Sequence, residues 1–532
     1  MKRNLRLLSS AALATALTVP AATAETPANA LVMAWNIDAI STFDPAQVGE
    51  VVTSELLQNT CEELVARVPS NEAEVQPAFA ESWDVAEDGK TITFHLKSGA
   101  VFPSGNPATA QDTMWSLKRV ISLGYGNAAQ LTDYGFTVEN MDERITAPND
   151  TTLVLKFGDV YPTSLLMQAI AANRVAGTLD SKLIMEHEQD GDFGNAYLKD
   201  KTACYGPYSL AQWNQGQSVV LEANETYSGE KPKLSRVFIR HVAETGTQRL
   251  MVENGDVDIA RDLTPDDLRE LESKDGVYVT SALKPQLIFW TFNAADEIFD
   301  DPKVRRAMKY LIDYDALADT VMQYLGTPWQ SFAQSGALGA LPKDEATPFS
   351  LDLDKAKALL TEAGYPEGFE ATIYVGSLPW SAPLGQHVQQ NAAKIGVIFN
   401  IEQMANAQFF AKVRGRDFQT GIKAWQTGVP DAHGNASRLV FNPDNSDEAK
   451  ATQFPSWRAS FYDEAMNELV TAAAVETDAE KRKEMYAELQ KDWMDNGEMA
   501  VMFQTYYVAA ARDTLKDWTW NGFQVYYGMA SK

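Results

Sequence analysis

Residues 287–313 constrain the fold more than any other stretch of the 532-residue chain. Leu287 to Phe292 is a short apolar run rich in aromatics, too short for a helix and suited to a buried strand. After a loop, Asp301 stands where a helix N-cap is expected and Pro302 at the first helical position. Val304, Ala307, Met308, Leu311 and Ile312 then recur at helical spacing on one face, with Lys303, Arg305, Arg306 and Lys309 on the other. A buried strand feeding an amphipathic helix places the chain in the α/β class.

The rest of the sequence repeats that grammar. Ile92, Phe94 and Leu96 alternate with Thr91, Thr93, His95 and Lys97, the pattern of a half-buried strand. Thr109-Ala110-Gln111-Asp112 is a capping box that opens a helix through Val120. Strands are expected at Thr152 to Phe157, after Gly206-Pro207-Tyr208, at Ser218 to Glu222, at Arg236 to His241 and at Val257 to Ile259. A helix at Thr245 to Asn254 should stop at Gly255. In the second half, strand Ala371 to Val375, helix Pro383 to Lys394 and strand Val397 to Ile401 make a βαβ unit, which implies a parallel pair with a right-handed crossover. Leu353 to Ala363 and Asp478 to Trp493 read as helices, and Ala500 to Ala510 as an apolar strand. No repeat, low-complexity tract or flexible linker separates the halves, so two α/β lobes would be joined by paired hinge strands.

The N-terminus sets the compartment. Lys2, Arg3 and Arg6 precede an apolar run from Leu7 to Val19, and Ala22-Thr23-Ala24 is a small-x-small cleavage site. That is a secretory signal peptide cut after Ala24, which predicts an exported, periplasmic protein. The formal charge is −27, and residues 1–24 carry three positive and no negative side chains, leaving −30 on the mature chain. So acidic a surface argues against nucleic acid and anionic lipid as partners. Cys61 and Cys204 could pair in an oxidising compartment; two separate buried thiols are the alternative.

Enzyme chemistry finds little purchase. His95, His187, His241, His387 and His433 are scattered, with no metal-ligand spacing. Gly124-Tyr125-Gly126 imitates a dinucleotide fingerprint but follows a helix rather than a strand. No nucleophile elbow is present, and paired carboxylates are expected by chance in so acidic a chain. No catalytic residue, metal or cofactor is expected.

Several segments, from about Leu31 to Phe503, carry a resemblance. They are Trp83 to Phe102, Asn106 to Asp112 leading into Ser116 to Arg119, Gly206-Pro207-Tyr208, Asn224 to Tyr227, Val257 to Ile259, Phe292-Asn293 with Phe299 to Ala307, and Leu359 to Pro366. Their order and wording resemble the family 5 extracellular solute-binding proteins, the peptide, nickel and oligosaccharide receptors of ABC importers. The resemblance implies a two-lobe periplasmic-binding-protein fold of the large peptide-receptor class (type II) with hinge strands between the lobes. Lobe I would span 31–288, with an inserted subdomain at about 67–205, and be rejoined by 502–532; lobe II would span 289–501. It implies a monomer that captures a short peptide or other small solute and docks on an inner-membrane ABC permease.

In such receptors a Trp followed three residues later by an Asp holds a peptide ammonium. Here Trp425, Gln426 and Thr427 match, but Gly428 stands at the acidic position; Asp431 could substitute if the loop is rearranged, or could cap a helix. The loop that often carries an Arg for the peptide carboxylate has none, only Trp380. Val48 and Gly49, after Phe43-Asp44-Pro45, fall where relatives approach the ligand, and Trp329 is a further cleft candidate. The missing charges leave a peptide, an oligosaccharide, an opine or a similar solute open. His433 could ligate a metal chelate, as in nickel receptors, or face solvent as a loop residue. A secreted hydrolase or chaperone on this fold is the rival class.

Overall fold

The computed structural model describes residues 26–69, 71–171, 175–518 and 525–532. The signal-peptide reading of residues 1–24 lies outside them. No helix among the described residues is long and apolar enough to cross a membrane.

One large mixed sheet runs through the protein. From one edge its order is Ile398–Gln403, Glu370–Val375, Thr420–Gln426, Val277–Phe292, Met499–Arg512, Ile259–Ala260, Ala30–Trp35, Arg236–His241, Ser218–Ala223 and Tyr208–Asn214. The short strand Gly326–Pro328 pairs beside it with Met499–Arg512. The βαβ unit is present: Glu370–Val375 pairs in parallel with Ile398–Gln403, joined by the helix Ser381–Ala393.

Two strands hold the sheet together. Val277–Phe292 and Met499–Arg512 pair antiparallel along most of their length, with register breaks between Leu283 and Leu287 and between Ile288 and Phe289. The expected strand at Leu287 is therefore the second half of one 16-residue strand. Its two halves differ as their surroundings do. Leu287 to Phe292 is buried without interruption, the pattern of a strand covered on both faces. These residues pack in one core with Val304, Val388, Leu489 and Phe503. Val277 packs in another core with Val252, Leu268 and Ala510.

A separate four-stranded sheet, ordered Ala80–Val85, Thr91–Leu96, Thr152–Lys156 and Ile145–Asn149, has a core of its own around Phe79, Phe94, Leu117 and Phe136. Its helix Ala110–Leu123 opens on the expected capping box, with the Thr109 hydroxyl and backbone N–H both donating to Asp112 at 2.7 and 3.0 Å. Gly124 ends that helix in the left-handed region at φ 63°, so the glycine serves a helix stop and not a nucleotide loop. Cys61 and Cys204 are disulfide-bonded with Cα atoms 4.8 Å apart.

The helix after the central strand is shorter than its periodicity suggests. It spans Pro302–Lys309, with Asp301 accepting from the Lys303 N–H at 2.7 Å, and Leu311 and Ile312 are buried beyond its end. Its basic face also divides. Arg305 and Lys309 are buried, because they donate to the free carbonyls that end the helix Ala479–Asn496. Arg305 Nη2 reaches the Asn496 carbonyl at 2.6 Å and Lys309 Nζ the Met494 carbonyl at 2.5 Å. Side-chain donors at a helix C-terminus satisfy its orphan carbonyls, which draws both side chains inside.

Candidate ligand cleft

The strand Thr420–Gln426 delivers Trp425 to a cleft. It pairs with Val277–Phe292, placing Trp425 opposite Leu287, just past the register break. The chain then leaves the sheet, tied by Thr427 N–H to the Pro285 carbonyl at 3.2 Å. Asp431 caps the short helix Ala432–Asn435, accepting the His433 N–H at 2.8 Å. The turn doubles back so tightly that a Cβ on Gly434 would lie 2.7 Å from the Val429 carbonyl. That return brings Asn435 under the indole, where its Oδ1 accepts from Trp425 Nε1 at 3.1 Å. Asn435 is held in turn by the Phe332 carbonyl, at 2.7 Å.

The opposite wall comes from the body built on the four-stranded sheet. Tyr134 and Tyr161 meet edge to face at 5.2 Å between ring centroids. Between the walls lies a cavity of about 460 Å³, lined by Trp425, Gln426, Thr427, Gly428 and Val429 on one side and by Gln130, Asp133, Tyr134 and Tyr161 on the other. His433, Ser437, Arg438, Phe441, Phe454 and Val470 are also part of its lining. A second space of about 530 Å³ adjoins it and shares Tyr161. Cavities of this size, aromatic with a few polar groups, are typical of small-molecule sites.

Among the described residues, both polar and apolar contacts join the walls. Arg438 forms an ion pair with Asp133. Arg67 Nη2 donates to the Gly428 carbonyl at 2.5 Å. Val429 packs into the core around Phe79 and Phe94. Burial raises the Asp133 pKa above the usual carboxylate value, and the Arg438 guanidinium opposes that shift. Burial pushes His433 down to about 4, so it is neutral at pH 7.

Of the residues expected at the site, Trp425, Gln426, Thr427 and Gly428 line this cavity. The others lie elsewhere. Asp431 is fully buried and bound at both carboxylate oxygens by Arg482, each at 2.8 Å, so it is not available to a ligand ammonium. Trp380 packs against the core around Trp290 and Leu384. Trp329 is only 2% exposed, its Nε1 donating to the Ala333 carbonyl at 2.7 Å. Val48 is buried beside Leu57 and Cys61, and Gly49 is exposed on the surface. His433 does not stand in solvent: its Nδ1 meets the Tyr486 hydroxyl at 2.8 Å.

The sequence reading missed Tyr134, Tyr161 and Asp133, which come from the far wall with no local pattern to mark them. It also missed Phe441 and Phe454, which look like ordinary core residues. Arg438 carries a weak signal, a cation placed just after the Asp431 turn.

Comparison with known proteins gives a consistent picture. Residues 74–447 match the family described as bacterial extracellular solute-binding proteins, family 5 Middle. The chain is 26% identical over 448 residues to the probable D,D-dipeptide-binding periplasmic protein DdpA of Escherichia coli K12, covering 84% of this chain and 83% of that protein. It is 25% identical over 487 residues to heme-binding protein A of Haemophilus influenzae, covering 84% and 82% respectively. Its fold matches the structure of HbpA2 from Haemophilus parasuis with a TM-score of 0.79 at 20% identity, over 94% of this chain and 99% of that one.

Proposed function

The chain belongs to the bacterial extracellular solute-binding proteins of family 5, and from that premise we propose that it is the periplasmic receptor of an ABC importer. It captures a peptide or peptide-sized solute between two closing lobes, returns it unchanged, and delivers it to an inner-membrane permease. The observation that carries this reading is the cleft itself. Its walls come from two separately cored bodies, joined across the opening by Arg438 with Asp133 and by Arg67 with the Gly428 carbonyl. A ligand held there touches both walls only when they meet, which is how binding shifts an open–closed equilibrium. The lobes are 31–288 with 502–532, and 289–501, and the two long paired strands carry the chain between them near the break at Leu283 to Leu287.

A second reading, a non-peptide solute, is favoured by the loop after Trp425. Gly428 has no side chain to offer and Asp431 is committed to Arg482, so this loop supplies no free carboxylate for a buried ammonium. The named ligands of the relatives, a D,D-dipeptide and heme, differ widely, in keeping with a cleft whose lining chemistry sets the choice.

The test is mass spectrometry of what is released when protein purified from its native host is denatured. One small molecule at near-equimolar amount, which rebinds the stripped protein and is recovered unchanged, is the expected result. Conversion of that molecule to product on rebinding would make the protein an enzyme and overturn the receptor reading.

A further inference from the structure

Between the two spaces of the cleft stands a chain of polar groups: Asp431, Arg482 and Tyr486, which are buried, and His433, which is partly exposed. Arg482 is held bidentately by Asp431 and lies with its guanidinium carbon 4.8 Å from the centroid of the Tyr486 ring. The Tyr486 hydroxyl is 2.8 Å from His433 Nδ1. Tyr486 borders the larger space and His433 the smaller one.

We propose that this chain fixes His433 as a neutral hydrogen-bond donor of the cleft, presenting Nε2–H to an uncharged acceptor oxygen, a carbonyl or hydroxyl, of the bound solute. The proposal rests on the reading of this cavity as the ligand site. Arg482 lies over the Tyr486 ring, and among the described residues the hydrogen bond found for the Tyr486 hydroxyl is the one to His433 Nδ1, so the phenol proton has that acceptor. The phenol keeps its own proton, since burial drives its pKa well above the usual value. That proton is then directed at His433 Nδ1, which accepts it, and the ring's remaining proton must sit on Nε2. The ring lines the cavity, so Nε2–H belongs to the side that a ligand meets.

The surroundings keep the ring neutral. Burial is the main cause, with Arg482 and Arg438 opposing a positive charge and Asp431 favouring it. The carboxylate of Asp133 on the facing wall is paired with Arg438, and Tyr134 beside it is kept protonated by burial. A fixed donor of this kind discriminates by what it leaves unpaired: an analogue lacking the acceptor oxygen would strand a desolvated N–H.

The experiment is a long-range ¹H–¹⁵N correlation spectrum of ¹⁵N-histidine-labelled full-length protein from pH 5 to 7, with His433 assigned by its loss in His433→Phe. The expected result is a neutral ring over this range, Nε2 protonated and Nδ1 not, and appearance of the reverse tautomer in Tyr486→Phe. The reverse tautomer in the unmutated protein, with Nδ1–H donated to Tyr486 and an Nε2 lone pair facing the cavity, would overturn the proposal and suit a metal ion or a ligand donor instead. An imidazolium at pH 6 would overturn it equally. With the compound recovered from the native host as probe, His433→Phe should weaken binding about 10-fold, the loss of one hydrogen bond. Unchanged binding in that variant would sink the donor role while leaving the receptor reading intact; failure of the unmutated protein to bind any recovered compound would sink the reading itself.

Discussion

Replacing Arg482 with methionine is expected to destabilise the protein by about 3–5 kcal/mol, the usual cost of leaving one member of a buried ion pair alone. Asp431 has no exposed surface, and both of its carboxylate oxygens are bound by Arg482. Without the guanidinium, one charge remains in a site that water does not reach. The damage should spread along the loop, because Asp431 also caps the turn that positions Asn435 beneath Trp425. The double variant Asp431→Asn with Arg482→Met removes the stranded charge and should recover a large part of the loss. Chemical denaturation midpoints of the three proteins read this directly. A single variant within about 1 kcal/mol of the unmutated protein would mean that the pair is solvated in solution, as exposed pairs are.

The second large effect separates two tryptophans that look alike in the sequence. Trp425→Ala should weaken binding of the recovered ligand by about 30- to 1,000-fold, the roughly 2–4 kcal/mol of an aromatic hot spot. Its effect on the melting temperature should be small, since the ring is only half-buried at the edge of the core and faces the cavity. Trp329→Ala should do the opposite. That ring is 2% exposed within the core around Phe332 and Trp493, and its removal should cost about 3–5 kcal/mol of stability through the cavity it leaves. Affinity should barely change in whatever Trp329→Ala protein folds. Titration calorimetry and thermal melts on both variants check the pair; equal affinity in Trp425→Ala would remove that residue from the site.

How far the sequence carries depends on whether the determining contacts are local. The βαβ unit, the Asp301-Pro302 helix start and the Thr109 capping box are written in neighbouring residues, and each is found where its pattern predicts. Arg305 and Lys309 mislead because helical spacing shows which side chains share a face, not what that face meets. The C-terminus of the helix Ala479–Asn496, more than 170 residues away, decides that they are buried. The same holds at the cleft. Trp425 to Gly428 is legible as a motif after a strand, but its partners Tyr134 and Tyr161 are set by how the two bodies meet. Val48, Gly49, Trp329 and Trp380 were expected from the resemblance alone; Val48, Trp329 and Trp380 pack into cores instead, and Gly49 lies on the surface away from this cavity. Asp431 is the instructive case: the sequence left it open between a ligand carboxylate and a helix cap, and the fold makes it the cap of Ala432–Asn435 and brings Arg482 to it across 51 residues.

On the proposed function, a solute is held between two bodies that close on it. Val85 and Lys483 are exposed residues on opposite walls of the larger space, and spin labels on cysteines placed there report the gap. Pulsed electron–electron double resonance, with and without the compound recovered from the native host, measures it. One short distance with ligand, matching this structure, and a longer, broader distribution without it is the predicted result. The same distribution in both states, at ligand concentrations shown to saturate the protein, would contradict closure.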